Sequence, residues 1–282
     1  MVVREKKVLL KCEKMNLNLI KAAVNLFDVI RTGPEPIRRF RCAVSLFKAG
    51  ELKGLNNDIY YSLQGRLPDG GWADVEETAW AVAFHDAFST WVSSTPSLRS
   101  ESINWLVTER TAEGAWGRSS RDRSRIPVTA WVLTLLPELA DENSIHWLET
   151  EWRKDLFSEV KLTYKGALAL KAFASADYKL IDPDLIPDTV NYLMDEQHDD
   201  GGFGPWKNHP IGSEPWSTGI ALIGLTAWPE LIRAKTLERA LAWLERVQLP
   251  NGLWPCHYVE EGSAYCYWGA VEAMKYLKRI GR

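Results

Sequence analysis

The chain has 282 residues, a formal net charge of -3 and 46% hydrophobic residues, enough for a substantial core in one large or two small domains. That charge gives no global reason to bind nucleic acid or an anionic membrane, so a charged ligand requires a local cluster. The longest uncharged stretches contain proline and fall short of the ~20 residues of a bilayer crossing. Cys12, Cys42, Cys256 and Cys266 lack paired short spacings and read as free thiols of a reducing compartment, so a soluble cytoplasmic protein is expected.

The N-terminal MVVREKKVLLKCEKMNLNLI mixes Lys and Glu into its apolar residues and so lacks the apolar core of a secretory signal. Being basic and amphipathic, it either makes a peripheral membrane contact or packs to complete the fold. MNLNLIKAAVNLFDVI and PIRRFRCAVSLFKAG are two apolar-periodic helices around a Gly-Pro breaker. Five helical hairpins follow. Their first helices, about 55–65, 97–109, 142–152, 186–197 and 234–247, have one polar face and suit an outer layer. Their second helices, EETAWAVAFHDAF, PVTAWVLTLL, YKGALALKAFA, STGIALIGLTAW and YCYWGAVEAMKYL, are more apolar and suit an inner layer, with a small residue at one point in each (Ala79, Ala130, Gly166, Gly219, Gly269) permitting close backbone approach.

Turns tie these hairpins into a repeat. YSLQGRLPDGGW, WLVTERTAEGAW, YLMDEQHDDGGF and WLERVQLPNGLW each run from an aromatic through a polar helix end and a glycine turn to a second aromatic: Trp72, Trp116, Phe203 and Trp254. The period is about 40 to 50 residues, as in helical-hairpin architectures, with one interval twice as long. SIHWLETEWRKDLF fills that interval as a degenerate unit without glycines. Gly70, Gly114, Gly201 and Gly252 are placed to supply positive φ where an outer helix ends. With the N-terminal pair, six hairpins close into one domain over 1–282: an all-α, single α6/α6 toroid.

The elements LQ…PDGGW and EQ…DDGGF, followed by TAWA or TGIAL, resemble the Gln-Trp repeats of squalene and terpenoid cyclases and of protein prenyltransferase β subunits, over roughly residues 55 to 280. The resemblance implies an α/α toroid with a central aromatic cavity opening at one end of the inner helices. It also implies an isoprenoid ligand, a prenyl diphosphate or related lipid, with nucleic acid excluded and oligomeric state open.

Three constellations are candidates for the chemistry. The Asp-x-Asp-Asp motif of class II cyclases falls on Asp74-Val75-Glu76-Glu77-Thr78-Ala79, making Glu76 the proton donor and Asp74 and Glu77 its orienting neighbours. The structural alternative has Asp74 capping the inner helix and Glu76 and Glu77 in its first turn, where the dipole favours acids. Prenyltransferases bind Zn²⁺ through Asp-x-Cys and a His; here Ala264 stands two before Cys266 and the five histidines show no ligand spacing, so no metal is expected, Mg²⁺ entering only with a diphosphate substrate. Finally, GRSSRDRSR carries Arg118, Arg121, Arg123 and Arg125 before an inner helix, beside Lys161 and Lys165 of the next unit and Lys207 of the following one. This is either a cationic arc for a diphosphate or a solvated rim. Trp216, Tyr265, Tyr267 and Trp268, which lie off the turns, are the aromatic candidates for cation–π stabilisation.

The reading is an isoprenoid-binding, terpene cyclase-like enzyme that cyclises or isomerises a prenyl chain by protonation. The alternatives are a non-catalytic toroid without the acid and zinc motifs, and a metal-free prenyltransferase holding an allylic diphosphate on the Arg/Lys rim.

Overall fold

The computed structural model describes residues 17–33, 35–50, 65–88, 96–159, 161–176, 179–256 and 259–282. Among them are eleven α-helices: α1 (Leu19–Thr32), α2 (Pro36–Lys48), α3 (Val75–Phe88), α4 (Pro96–Thr108), α5 (Ile126–Leu135), α6 (Glu142–Leu156), α7 (Thr163–Ala176), α8 (Leu185–Glu196), α9 (Pro215–Leu225), α10 (Ala234–Val247) and α11 (Val259–Arg279). The outer segment expected near 55–65 lies outside the described residues except for Gly65, as do most of the basic N-terminal segment, Cys12, His257 and Tyr258.

Two layers follow from the sequence pattern. Along α10 the buried residues are Thr236, Leu237, Ala240, Leu241, Trp243 and Leu244, one stripe at helical spacing with a polar opposite face. In α5 every residue but Pro127 is buried, and in α9 every residue but Trp216. A helix apolar all round must be covered all round. The inner helices achieve this by packing in sequence, α2 on α3, then α5, α7, α9 and α11, with α11 returning to α2. The result is a closed ring, the α/α toroid, flanked outside by α1, α4, α6, α8 and α10.

The turns are built as their composition requires. Gly70, Gly114, Gly201 and Gly252 have φ of 101°, 82°, 97° and 86°, conformations that a Cβ would oppose. The aromatic after each turn is wholly buried, and its backbone N–H donates to a hydroxyl in the first turn of the following inner helix. Trp72 donates to Thr78 (2.8 Å), Trp116 to Thr129 (3.0 Å), Phe203 to Thr218 (2.9 Å) and Trp254 to Ser263 (2.8 Å). The degenerate unit lacks a glycine turn, and there Thr163 instead donates forward to the carbonyl of Pro205 at 3.2 Å.

Ring closure joins the two ends of the chain. Gln248 accepts from the Asn18 N–H at 2.9 Å, Asn25 donates to the Asn251 carbonyl at 2.8 Å, and Lys21 donates to the Pro250 carbonyl. The N-terminal helix thus seats on the last repeat's turn.

Small residues allow close helix crossings. A Cβ on Gly219 would stand 2.6 Å from the Cys266 nitrogen and the Tyr265 carbonyl carbon, and one on Gly269 would meet the Gly219 oxygen at 2.6 Å. Gly166, by contrast, makes room for Trp152 of the outer helix, 2.7 Å from its would-be Cβ. Gly219→Ala must therefore separate α9 from α11 and is expected to cost about 3 kcal/mol, the upper end for overpacking. Urea unfolding of the variant measures this directly.

Candidate active site at the N-terminal rim

The inner helices run in one direction, so their N-termini share a rim. Asp74 precedes α3 and accepts from the Glu77 N–H at 2.8 Å, while its carbonyl receives the Thr78 N–H at 3.0 Å. Asp74 is thus the helix N-cap. Two residues on, Glu76 points towards α2, where Arg41 donates from Nη2 to its Oε1 at 2.5 Å. The other arm of the same guanidinium donates from Nη1 to Glu261 Oε2 at 2.6 Å. One cation on α2 therefore spans two carboxylates, on α3 and α11, across the seam where the ring closes. The three side chains are only 15–17% exposed.

The electrostatics of this triad follow from burial and count. Burial pushes the Glu76 carboxyl above its usual value; Arg41 opposes the rise, and the charges of Asp74 and Glu261 add to it. Glu77 is raised by burial and by Asp74. Burial pulls Arg41 down, but Tyr265, Glu76 and Glu261 together hold it above the ordinary arginine range, so it stays charged. With one cation between two carboxylates, a proton taken up on Glu76 leaves Glu261 fully paired. The triad borders a polar cavity of about 310 Å³, lined also by Glu35, Arg38, Asp74, Glu77 and Arg118. A larger groove, about 680 Å³, lies outside the ring between α6 and Ile181–Pro183, remote from these acids.

Immediately inside the rim the lumen is aromatic. Trp80 stands one helical turn after Glu76, and Tyr265 one turn after Glu261. Trp80 meets Trp131 at 4.7 Å and Tyr265 at 6.1 Å between ring centroids. Trp131 stacks on Tyr265 at 5.5 Å with 21° between planes and reaches Trp268 at 6.4 Å. α5 and α11 are three places apart in a six-membered ring, so these contacts cross its axis and fill it at this level. Trp216 joins at the edge, 6.5 Å from Tyr265 and 5.2 Å from Tyr164. Tyr267 is buried but lies two residues past Tyr265, about 200° round the helix from the lumen.

Most of the rim cations have local partners. Arg118 lies 3.5 Å from Asp74. Asp122 organises the arginine loop: it receives the N–H groups of Arg118 (3.2 Å) and Arg123 (2.9 Å) and the Arg125 guanidinium at 2.7 Å, which together draw its carboxyl down to about 2. Arg121 and Arg123 are exposed. Lys165 pairs with Asp155 at 2.6 Å, Lys161 donates to the Leu156 carbonyl at 3.1 Å, and Lys207 donates to the Asp195 carbonyl at 2.8 Å. The structure brings Glu76, Asp74, Glu77 and Arg118 into one cavity and Trp216, Tyr265 and Trp268 into one cluster. Among the described residues no group of three or more His, Cys, Asp or Glu side chains converges as a metal-ligand set.

Arg41 and Glu261 were missed in the sequence, although one signal for Glu261 was present. It stands two residues before Ser263, as Glu76 stands two before Thr78, and those two hydroxyls make the same turn contact. Alignment of the repeats on the first-turn hydroxyl therefore superposes the two acids.

No family model matches the chain, and no curated protein matches it in sequence. Solved structures do share its fold. A protein from Actinoplanes is similar with a TM-score of 0.66 at 12% identity, over 93% of this chain and 99% of that one. The type II terpene cyclase MstE from Scytonema, solved in complex with geranylgeranyl dihydroxybenzoate, is similar with a TM-score of 0.64 at 16% identity, over 93% and 97%. An ent-copalyl diphosphate synthase from Streptomyces platensis follows with a TM-score of 0.61 at 15% identity, over 86% of this chain and 50% of that one. The architecture is terpene cyclase-like.

Removing Arg41 leaves two buried carboxylates facing each other without a cation. Arg41→Met is expected to lose about 3 kcal/mol at neutral pH. Because Glu76 binds its proton more tightly folded than unfolded, its contribution to stability is fully present at low pH and is lost as pH rises through the folded value. Without Arg41 that value climbs further. The deficit of the variant should therefore shrink as the medium is acidified, which paired unfolding curves at neutral and mildly acidic pH will reveal.

Proposed function

We propose that this protein is a terpene cyclase-like enzyme in which Glu76 protonates an isoprenoid and the aromatic cluster below it stabilises the resulting carbocation. The observation that carries the reading is the stacking of chemistry along the inner helices: an acid raised by burial, one turn above a set of π faces. In this reading the Glu76 proton passes to the terminal carbon of an alkene, the π pair forms the new C–H bond, and the cation moves inward. As the proton leaves, negative charge develops on Glu76 beside Arg41, a pre-placed guanidinium that stabilises it. Tyr265, Trp131 and Trp80 face the cation, and a carboxylate of the triad takes up the proton lost when the product forms. Asp74 orients the first turn by accepting the Glu77 N–H as its cap, and its charge, with that of Glu261, helps keep the donor protonated.

A second reading has a specific observation in its favour. The contact of Trp131 with Tyr265 across the axis fills the lumen, as it would in a toroid that serves as a binding or partner protein without turnover.

Incubation with farnesyl diphosphate, geranylgeranyl diphosphate and squalene, followed by product analysis, separates the two. Turnover should fall by about 10²-fold or more in Glu76→Gln and far less in Glu77→Gln, and the wild-type rate should decline as pH rises through the elevated Glu76 value. A saturating prenyl ligand at a hundredfold excess over its Kd should also stabilise the fold by about 2.7 kcal/mol. Turnover that survives Glu76→Gln would remove the acid assignment, and stabilisation without product in the wild type would favour the second reading.

A further inference from the structure

The polar cavity at the N-terminal rim is where a ligand must lie to meet Glu76, which lines it. One turn further in, Trp131 stacks on Tyr265 across the axis, so rings close the lumen there and the ligand rests against the groups of the cavity itself. Those groups are unequal in charge. Five carboxylates, Glu35, Asp74, Glu76, Glu77 and Glu261, face three guanidiniums, Arg38, Arg41 and Arg118. The excess is two negative charges, and one remains when Glu76 carries the proton it would donate.

Each guanidinium already has a carboxylate. Arg38 lies 3.0 Å from Glu35 and 3.6 Å from Glu260, and Arg118 lies 3.5 Å from Asp74. Arg41 commits one Nη to Glu76 and the other to Glu261, and its Nε is buried beyond a ligand's reach. Glu77 is different: among the described residues its carboxylate has no hydrogen bond or ion pair. Of the arginine-rich loop only Arg118 lines the cavity, and Arg125 is held by Asp122. A multiply charged diphosphate would therefore meet a net negative wall, and to gain a guanidinium it would have to displace a carboxylate and leave that group half-buried and unpaired. An uncharged group meets no such repulsion, and an ammonium is attracted.

We infer that the rim selects its ligand by charge: the isoprenoid that reaches Glu76 carries no negative charge, as a hydrocarbon, an alcohol or an amine does, and prenyl diphosphates are excluded. The inference rests on the reading of this cavity as the place where an isoprenoid meets Glu76, and it decides among the ligand classes that reading allows.

The test is titration of the full chain at low salt, with and without Mg²⁺, with farnesol, farnesylamine and farnesyl diphosphate, which share one chain and differ in the end group. Calorimetry and thermal unfolding read the binding, below the micellar concentration of each ligand. Farnesol is expected to bind at least tenfold more tightly than the diphosphate, and farnesylamine at least as tightly as farnesol. The gap between farnesol and the diphosphate should narrow as salt screens the cavity, and by at least threefold in Glu77→Gln and in Glu35→Gln, each of which removes one negative charge. Glu35, 54% exposed and without a capping bond at the start of α2, provides the variant least coupled to folding, and unfolding of each variant without ligand verifies that the fold is retained. Diphosphate binding as tight as that of farnesol, with or without Mg²⁺, or a gap that neither salt nor either variant changes, would overturn the inference and leave the isoprenoid reading standing. Binding of none of the three would remove both. The expected order without turnover of any uncharged isoprenoid would retain the charge selection and remove the catalytic reading.

Discussion

The ring depends on a hydrogen bond repeated at each glycine turn. After the chain reverses, a large aromatic must be buried, and its backbone N–H enters the core with it, where an unpaired donor costs about 1–3 kcal/mol. A Thr or Ser hydroxyl in the first turn of the next inner helix accepts that N–H at 2.8 to 3.0 Å in four units. One contact thereby satisfies the turn, anchors the aromatic and determines where the inner helix begins. Because the contact recurs, those inner helices start at one level, and their all-apolar surfaces are covered by one another rather than by water.

That common starting level creates the rim chemistry. Residues just before and after the clamping hydroxyl necessarily surround the lumen mouth, which is how Glu76 and Glu261, each two residues ahead of its hydroxyl, come to share Arg41. Helix N-termini favour acids there, and burial then raises the proton affinity of Glu76. The same geometry explains why the arginine-rich loop behaves differently: its charges are exposed or neutralised locally by Asp122 and Asp74 rather than turned into the lumen.

The aromatic layer divides the interior into two environments. Trp80, Trp131, Tyr265 and Trp268 arise from three inner helices and meet across the axis. On one side lie acids spanned by a single guanidinium, and on the other the Lys171 ammonium stands 5.7 Å from the Trp268 ring. A toroid can hold such unlike environments a few helical turns apart because the helices that build its wall also carry both ends of each side-chain stripe.

Much of this was legible in the sequence. The 40 to 50 residue period, the glycine turns at Gly70, Gly114, Gly201 and Gly252, the alternation of one-faced and all-apolar helices and the acids opening α3 are local patterns, governed by backbone conformation and side-chain periodicity over a few residues. Those patterns led to the all-helical toroid, and they offered the capping role of Asp74 as the alternative to its place beside the proton donor. What they do not encode is which side chains meet when the ring closes. Arg41 and Glu261 are 220 residues apart in the chain, and Trp131 meets Tyr265, like Lys171 and Trp268, only because non-adjacent helices face one another across an axis. The sequence by itself determined the units and their order. Tertiary structure alone decided that Glu76 would share a cation, that the lumen would be filled by rings, and that Lys171 would stand over Trp268, because those outcomes depend on distances across the ring and not along the chain.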